Sequence, residues 1–113
     1  MLDEFLDLIA SAIIFVVDIV IDIIDGIIDF WNDVVGYFKK LSLVRGRDIP
    51  FIADPELIKN MLRDAPVIET NGIFEAVYDE DTNQIKNSRF VCGDDLDNQT
   101  KAAIHDKGIA VLN

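Results

Sequence analysis

The sequence predicts an α+β protein with two unlike parts: one long amphipathic, largely apolar helix over about residues 2–41, and a small module over 42–113. The acidic residues of the first part recur at helical spacing, and that part contains no proline. The second part contains all three prolines and has two alternating segments around a polar turn. We therefore predict a self-associating helix followed by a module with a β-hairpin, a third short strand and two short helices.

Charge limits the classes of partner. The 113 residues include 10 basic and 21 acidic side chains, for a net charge of −11. So acidic a surface repels phosphate backbones, and no polybasic segment is present to bind anionic lipid. Cys92 is the one cysteine, so no intramolecular disulfide can form. We expect no nucleic-acid partner.

The N-terminus does not resemble a secretory signal. The first seven residues, MLDEFLD, contain three acids and no base, whereas a signal peptide begins with a basic region. The uncharged run LIASAIIFVV at residues 8–17 is too short to span a bilayer. We expect a cytoplasmic protein, or one exported without a classical signal peptide.

The helix prediction depends on the segment VVDIVIDIIDGIIDFWNDVV at residues 16–35. At about 100° per residue its acids fall on one stripe roughly 120° wide, which leaves roughly 240° apolar. An alternation of period two does not fit, because Asp18, Asp22 and Asp25 would not share a strand face. The acidic stripe comprises Asp18, Asp22, Asp25, Asp29 and Asp33.

A helix that is apolar over two thirds of its circumference must be enclosed by other apolar surfaces. We therefore predict a structural protein that homo-oligomerises into a tube, filament or ring of bundled helices, with the acidic stripe facing water or a lumen. Arg45 and Arg47 are candidate cations that contact a neighbouring subunit's stripe. The predicted oligomer interface consists of Ile14, Val17, Ile21, Ile24, Ile28, Trp31, Val35 and Phe38.

Two alternatives use the same helix. It could pack on an unlike partner, or the chain could be a small membrane-associated or pore-forming protein. Insertion of each central aspartate into a bilayer costs about 2.5–3.5 kcal/mol, so membrane association is the less favoured alternative.

Local signals define the elements of the second part. Residues 42–54 are predicted to form an irregular connection around Arg45-Gly46-Arg47. Asp54 and Pro55 begin a helix over about 55–63, and Asp97 or Asp95 caps a short helix that Gly108 ends. The hairpin strands are predicted over about 73–79 and 85–92, and a final strand over 109–112 lies beside them.

No motif in this part indicates catalysis. The turn DEDTNQ at 79–84 begins like a calcium loop but lacks its glycine and glutamate, which favours a simple turn. The acids at 94–97 precede a helix, as caps do. The lone His105 and Cys92 have no partner that would make a metal or nucleophile site. We therefore predict no enzyme, no catalytic or metal site and no cofactor.

Overall fold

The computed structural model describes residues 2–16, 19–62 and 71–112. Its helices are α1 (Leu2–Ile13), a π-helix (Phe30–Val35) that continues into α2 (Gly36–Lys39), α3 (Pro55–Met61) and α4 (Asn98–Ile104). Its strands are β1 (Val20–Ile23), β2 (Ile27–Ile28), β3 (Asp48–Ala53), β4 (Asn71–Asp79), β5 (Gln84–Gly93), β6 (Asp95–Leu96) and β7 (Ile109–Val111).

Five of these strands form one mixed sheet in the order β1-β5-β4-β3-β7. The pair β1–β5 is parallel, and the pairs β5–β4, β4–β3 and β3–β7 are antiparallel. The short strands β2 and β6 form a separate parallel pair. The first part of the chain therefore contributes β1 to a sheet whose other four strands come from the second part, and β1 and β7 are its edges.

The predicted long helix over 2–41 is wrong. The longest helix in the described ranges, α1, has 12 residues and ends at Ile13. Beyond it the chain is rich in valine and isoleucine, whose branched side chains favour strands. In β1 these residues form main-chain hydrogen bonds with β5, which the helical projection did not consider. The spacing of the acids at every third or fourth residue was therefore not evidence for a continuous helix.

Glycines shape the turn that follows β1. Gly26 has φ +98°, a left-handed conformation that other residues rarely adopt and that no α-helix contains. Its carbonyl accepts a hydrogen bond from Asp94 N at 2.8 Å. A Cβ on Gly93 would lie 2.8 Å from the same carbonyl oxygen, so only glycine permits this approach. The two glycines hold the turn against the end of β5.

The chain's own sheet covers most of the apolar residues that the helix prediction left to partners. On one face, α1 and α3 pack on a core that includes Phe5, Ile9, Ile13, Phe51, Ile58, Phe74 and Phe90. On the other face, the π-helix, α2 and α4 pack on a core that includes Ile28, Phe30, Val34, Phe38, Ile52, Ile73, Val91 and Ile104. The predicted helical bundle, and the tube or filament built from it, are therefore wrong.

The long helix that the membrane-associated alternative used does not form in the described residues. Among the described residues, no helix has the length and apolar character needed to cross a membrane.

Most local predictions for the second part are confirmed. Asp54 caps α3 with Pro55 at its first position, and Asp97, not Asp95, caps α4. The hairpin forms as β4 and β5, each slightly longer than predicted. The final strand forms as β7, but it pairs with β3 rather than with the hairpin.

The prediction of an irregular connection over 42–54 is wrong where β3 forms. Pro50 lies within β3, opposite Val77 of β4. The Pro50 carbonyl accepts from Leu112 N at 2.8 Å, so its missing N–H faces the β7 side of the strand. Strand β7 pairs only with residues 51–53, and proline is tolerated where no ladder hydrogen bond is required.

Candidate functional site: the open edge of β1

Exposed apolar side chains are concentrated in the chain segment that contains β1. In the described ranges nine large hydrophobic residues are exposed, and eight of them lie between residues 8 and 31. The most exposed, Ile23 and Phe15, are 80% and 75% accessible. The ninth, Val44, lies in the connection before β3. We call the eight the β1 patch: Leu8, Ile14, Phe15, Val20, Ile21, Ile23, Ile27 and Trp31.

Among the residues that the structure describes, no strand pairs with β1 on the side away from β5, so its main chain is open there. Just after the strand, Ile24 N donates to Cys92 O at 2.8 Å, so the polar groups of residue 24 face β5. Because these groups alternate in direction along a strand, the N–H and C=O of Ile21 and Ile23 point away from the sheet. An edge of this kind is a template for pairing with another strand.

The side chains of β1 divide between the two faces of the sheet. Asp22 lies on the face that carries Arg89, as their ion pair requires. Its neighbours Ile21 and Ile23 therefore lie on the opposite face, where α1 packs and where Ile19 contacts the core. The α1 face of the open edge is consequently apolar.

A charged cluster ties β1 to the rest of the molecule. The guanidinium of Arg89 on β5 lies 2.8 Å from both Asp22 Oδ2 and Glu75 Oε1, and donates to the Asp33 carbonyl in the π-helix at 2.9 Å. It also stacks 3.8 Å from the centre of the Tyr37 ring. One side chain thus joins β1, β4, β5, the π-helix and α2. We call these groups the Arg89 cluster.

Glu75 is the buried acid of this cluster. Its side chain is fully enclosed, and Oε2 has no hydrogen-bond partner among the described residues. Burial raises the pKa of Glu75 to about 8, with the charges of Asp33 and Asp22 adding to the increase and Arg89 opposing it. Neither cavity described below is lined by Glu75 or Arg89, which favours a structural role over catalysis.

A second charged cluster surrounds Asp48. Its buried carboxylate accepts from Arg47 Nε and Nη2 at 3.0 Å, from Lys86 Nζ at 2.8 Å and from Val44 N at 2.8 Å. These donors hold the pKa of Asp48 well below its ordinary value. Arg47, a predicted inter-subunit cation, is therefore bonded within its own chain, whereas Arg45 is exposed.

Two surface clefts offer space for small molecules. The larger, about 770 Å³, lies between α1, the connection before β3 and the end of β7, and Phe5, Leu43 and Leu112 contribute to its apolar lining. The smaller, about 260 Å³, lies between the start of α3 and β6 and includes Lys101. Neither is lined by a cysteine, a histidine or a serine that could act as a nucleophile or base.

The predicted interface residues divide between surface and core. Ile14, Ile21 and Trp31 are exposed and belong to the β1 patch. Ile28 and Phe38 are buried in the core under the π-helix and α2, Ile24 and Val35 pack partly against that core, and Val17 lies outside the described residues.

The predicted acidic stripe is not a continuous surface, because its members have separate local roles. Asp22 binds Arg89, and Asp25 is exposed in the turn after β1. Asp29 caps the π-helix by accepting from the amides of residues 31 and 32, and Asp33 Oδ2 accepts from Asp29 N at 2.7 Å. Asp18 lies outside the described residues.

The weaker candidate motifs from the sequence belong to a turn, a helix cap, the core and a helix end. Asp79 accepts from the amides of residues 81 and 82, as in an ordinary turn. Asp97 caps α4 and also accepts from Phe30 N at 2.8 Å, which joins α4 to the π-helix. Cys92 is buried in the core, and His105 is exposed at the end of α4.

The Arg89 cluster was not among the predicted sites, although the sequence contains a signal for it. In the alternating segment IFEAVYD, Glu75 shares a strand face with Ile73 and Val77. Both neighbours are apolar, which predicts that the acid between them is buried and requires a cationic partner. That partner, Arg89, is directly opposite on β5.

The edge of β1 has the clearest capacity for binding in the described part of the chain, since it combines open main-chain groups with the exposed side chains of Val20, Ile21 and Ile23. Comparison of the chain with protein-family models, with curated proteins and with solved structures finds no match.

Proposed function

We propose that this chain is a non-enzymatic protein that self-associates, and that two copies bind one another through the β1 patch. The observation that carries the proposal is the exposure of three aliphatic side chains, Val20, Ile21 and Ile23, on an edge strand with open main-chain groups.

A second copy suits this edge because two identical strands can pair antiparallel about a two-fold axis. Such an interface presents the same surface from both subunits. The one charged side chain of β1, Asp22, is already paired with Arg89 of its own chain. An apolar strand with its charge neutralised can therefore approach its copy with little electrostatic cost at the centre of the interface.

Charge elsewhere on the molecule opposes association. Each chain has a net charge of −11, so two copies repel one another at neutral pH. Salt screens this repulsion, with a Debye length of about 8 Å at physiological ionic strength. We therefore expect dimerisation to strengthen with salt concentration, the reverse of an interface held by ion pairs.

The test is sedimentation equilibrium over a concentration series at low and high salt. Wild-type protein is expected to shift from monomer to dimer, and Ile23→Lys to remain monomeric under the same conditions. Ile23 is 80% exposed, so the substitution leaves the core intact.

Val44→Lys is the matched control, because it adds the same charge at an exposed apolar residue outside the β1 patch. We expect it to dimerise as the wild type does. A wild-type protein that stays monomeric at sub-millimolar concentration and high salt would exclude self-association. Equal effects of the two lysine substitutions would exclude the β1 patch as its interface. Association that appears only when an unlike protein is added would identify that protein, and not a second copy, as the partner.

A further inference from the structure

We infer that the dimer forms by antiparallel pairing of β1 with β1 of a second copy, in the register that places Ile21 opposite Ile21 of that copy. This inference rests on the proposed self-association and specifies its geometry. Pairing at this edge would join two five-strand sheets into one continuous sheet of ten strands.

The direction of the main-chain groups restricts the register. The N–H and C=O of Ile21 and Ile23 face away from β5, because those of Ile24 face toward it. About a two-fold axis normal to the sheet, each side chain stays on its own face, so odd-numbered residues lie opposite odd-numbered ones. Two registers keep most of the four-residue strand paired, one centred on Ile21 and one centred on Asp22.

Charge selects between these two registers. The register centred on Asp22 places two carboxylates directly opposite one another, with Cα atoms about 4.5 Å apart, and like charges at opposite positions destabilise a sheet. The register centred on Ile21 places Val20 opposite Asp22 of the copy. Each Asp22 then keeps its ion pair with Arg89 and faces no second acid.

Apolar contacts favour the same register. With Ile21 at the axis, Ile19 lies opposite Ile23 of the second copy on the α1 face. Ile23 is 80% exposed in the single chain, and this pairing covers it with another branched aliphatic side chain. Phe15, 75% exposed near the end of α1, precedes this strand and can contact the same face of the interface.

Disulfide trapping tests the register. Cys92 is first replaced by alanine so that an introduced cysteine is the only thiol. Opposite Cα atoms in a hydrogen-bonded antiparallel pair are about 5.5 Å apart, which a disulfide can bridge. Under mild oxidation, Ile21→Cys is expected to form a covalent dimer, whereas Val20→Cys, one residue away on the other face, is not.

A mixture of Ile21→Cys and Ile23→Cys chains of different mass tests the other register. In the register centred on Asp22, residues 21 and 23 lie opposite, so the mixed dimer would be the main product. That result would overturn the Ile21 register while leaving self-association intact. A predominance of the Ile21→Cys homodimer supports the Ile21 register.

Amide hydrogen exchange of the wild-type protein provides a readout that needs no substitution. On dimerisation, exchange at Ile21 and Ile23 is expected to slow by roughly tenfold or more, while Ile24, already bonded to Cys92 O, changes little. A sedimenting dimer without this protection would overturn strand pairing and leave self-association standing. A wild-type monomer at all concentrations would overturn both.

Discussion

Arg89 donates from Nε to Oε1 of Glu75 at 2.8 Å, and the two residues are direct cross-strand partners on β5 and β4. The other carboxylate oxygen, Oε2, has no partner in the described part of the chain. The pair is enclosed between the sheet and the π-helix and also holds Asp22 of the edge strand. The integrity of the β1 edge therefore depends on the largely buried side chain of Arg89.

Replacement of Arg89 by methionine is expected to lower the free energy of unfolding by about 1.5–3 kcal/mol, because the hydrogen bonds of one charged side chain are lost. The substitution leaves Glu75 buried without a cation and removes the contacts with Asp22 and the Asp33 carbonyl. Urea denaturation followed by circular dichroism measures the change. Lys101→Met is the control, because Lys101 pairs with Asp95 at the surface and such pairs contribute about 1 kcal/mol or less. Equal losses in the two variants would contradict the structural importance of the Arg89 cluster.

The buried Glu75 predicts a pH dependence of stability. Its pKa is raised to about 8 by burial, so the folded protein keeps a proton that the unfolded chain releases near its ordinary value of 4.5. The resulting stabilisation is complete below pH 4.5 and is lost as pH rises through about 8. We expect the free energy of unfolding to decrease between about pH 4.5 and 8 in urea titrations.

Glu75→Gln should flatten that dependence, because glutamine does not titrate. Glu80→Gln, which removes an exposed acid in the turn between β4 and β5, should leave the slope as in the wild type. Parallel slopes for all three proteins would exclude Glu75 as their origin.

Asp48 predicts the opposite dependence at acidic pH. Hydrogen bonds from Arg47 and Lys86 hold its pKa well below 3.8 in the folded protein. The stabilisation is therefore present above pH 3.8 and is lost as pH falls toward the folded pKa. Asp48→Asn should be less stable than the wild type at pH 7, by a margin that narrows in acid unfolding below about pH 3.8. Glu56→Gln, in an exposed pair with Lys59, should track the wild type throughout.

Two glycine substitutions separate this fold from a continuous N-terminal helix. Gly26→Ala is expected to destabilise by about 1–2 kcal/mol, because alanine is strained at φ +98°. Gly36 has a helical φ of −59°, where alanine gains up to about 1 kcal/mol. A Cβ there would lie 3.3 Å from Trp31 O, which reduces the gain. In a continuous helix both substitutions would stabilise, so thermal unfolding of the two variants distinguishes the structures.

Elements with local signals were predictable. The pair Asp54-Pro55 satisfies the first amides of α3 and fixes its first φ angle, so the helix start is encoded within two residues. The hairpin follows from alternation on both sides of a polar turn, and Asp97 caps α4 in the same way that Asp54 caps α3. Each of these features depends on neighbours along the chain.

The elements of the first part of the chain could not be predicted from local signals. Its aspartates occur every three or four residues, as on a helix, but that spacing comes from different causes. Asp22 pairs with Arg89, 67 residues away, and Asp29 caps the π-helix next to it. A spacing shared by an ion pair, a turn and a cap imitates a helical face.

The sequence by itself determined the strong acidity, the turns and caps of the second part, and an excess of apolar residues before residue 41. Only the tertiary structure decided that β5 recruits Val20–Ile23 as an edge strand and that Glu75 meets Arg89 across the sheet. The physical reason is that strand pairing and burial depend on contacts between residues far apart in the chain. Helical spacing is a local property of the sequence. In this segment the main-chain pairing of β1 with β5 outweighs it.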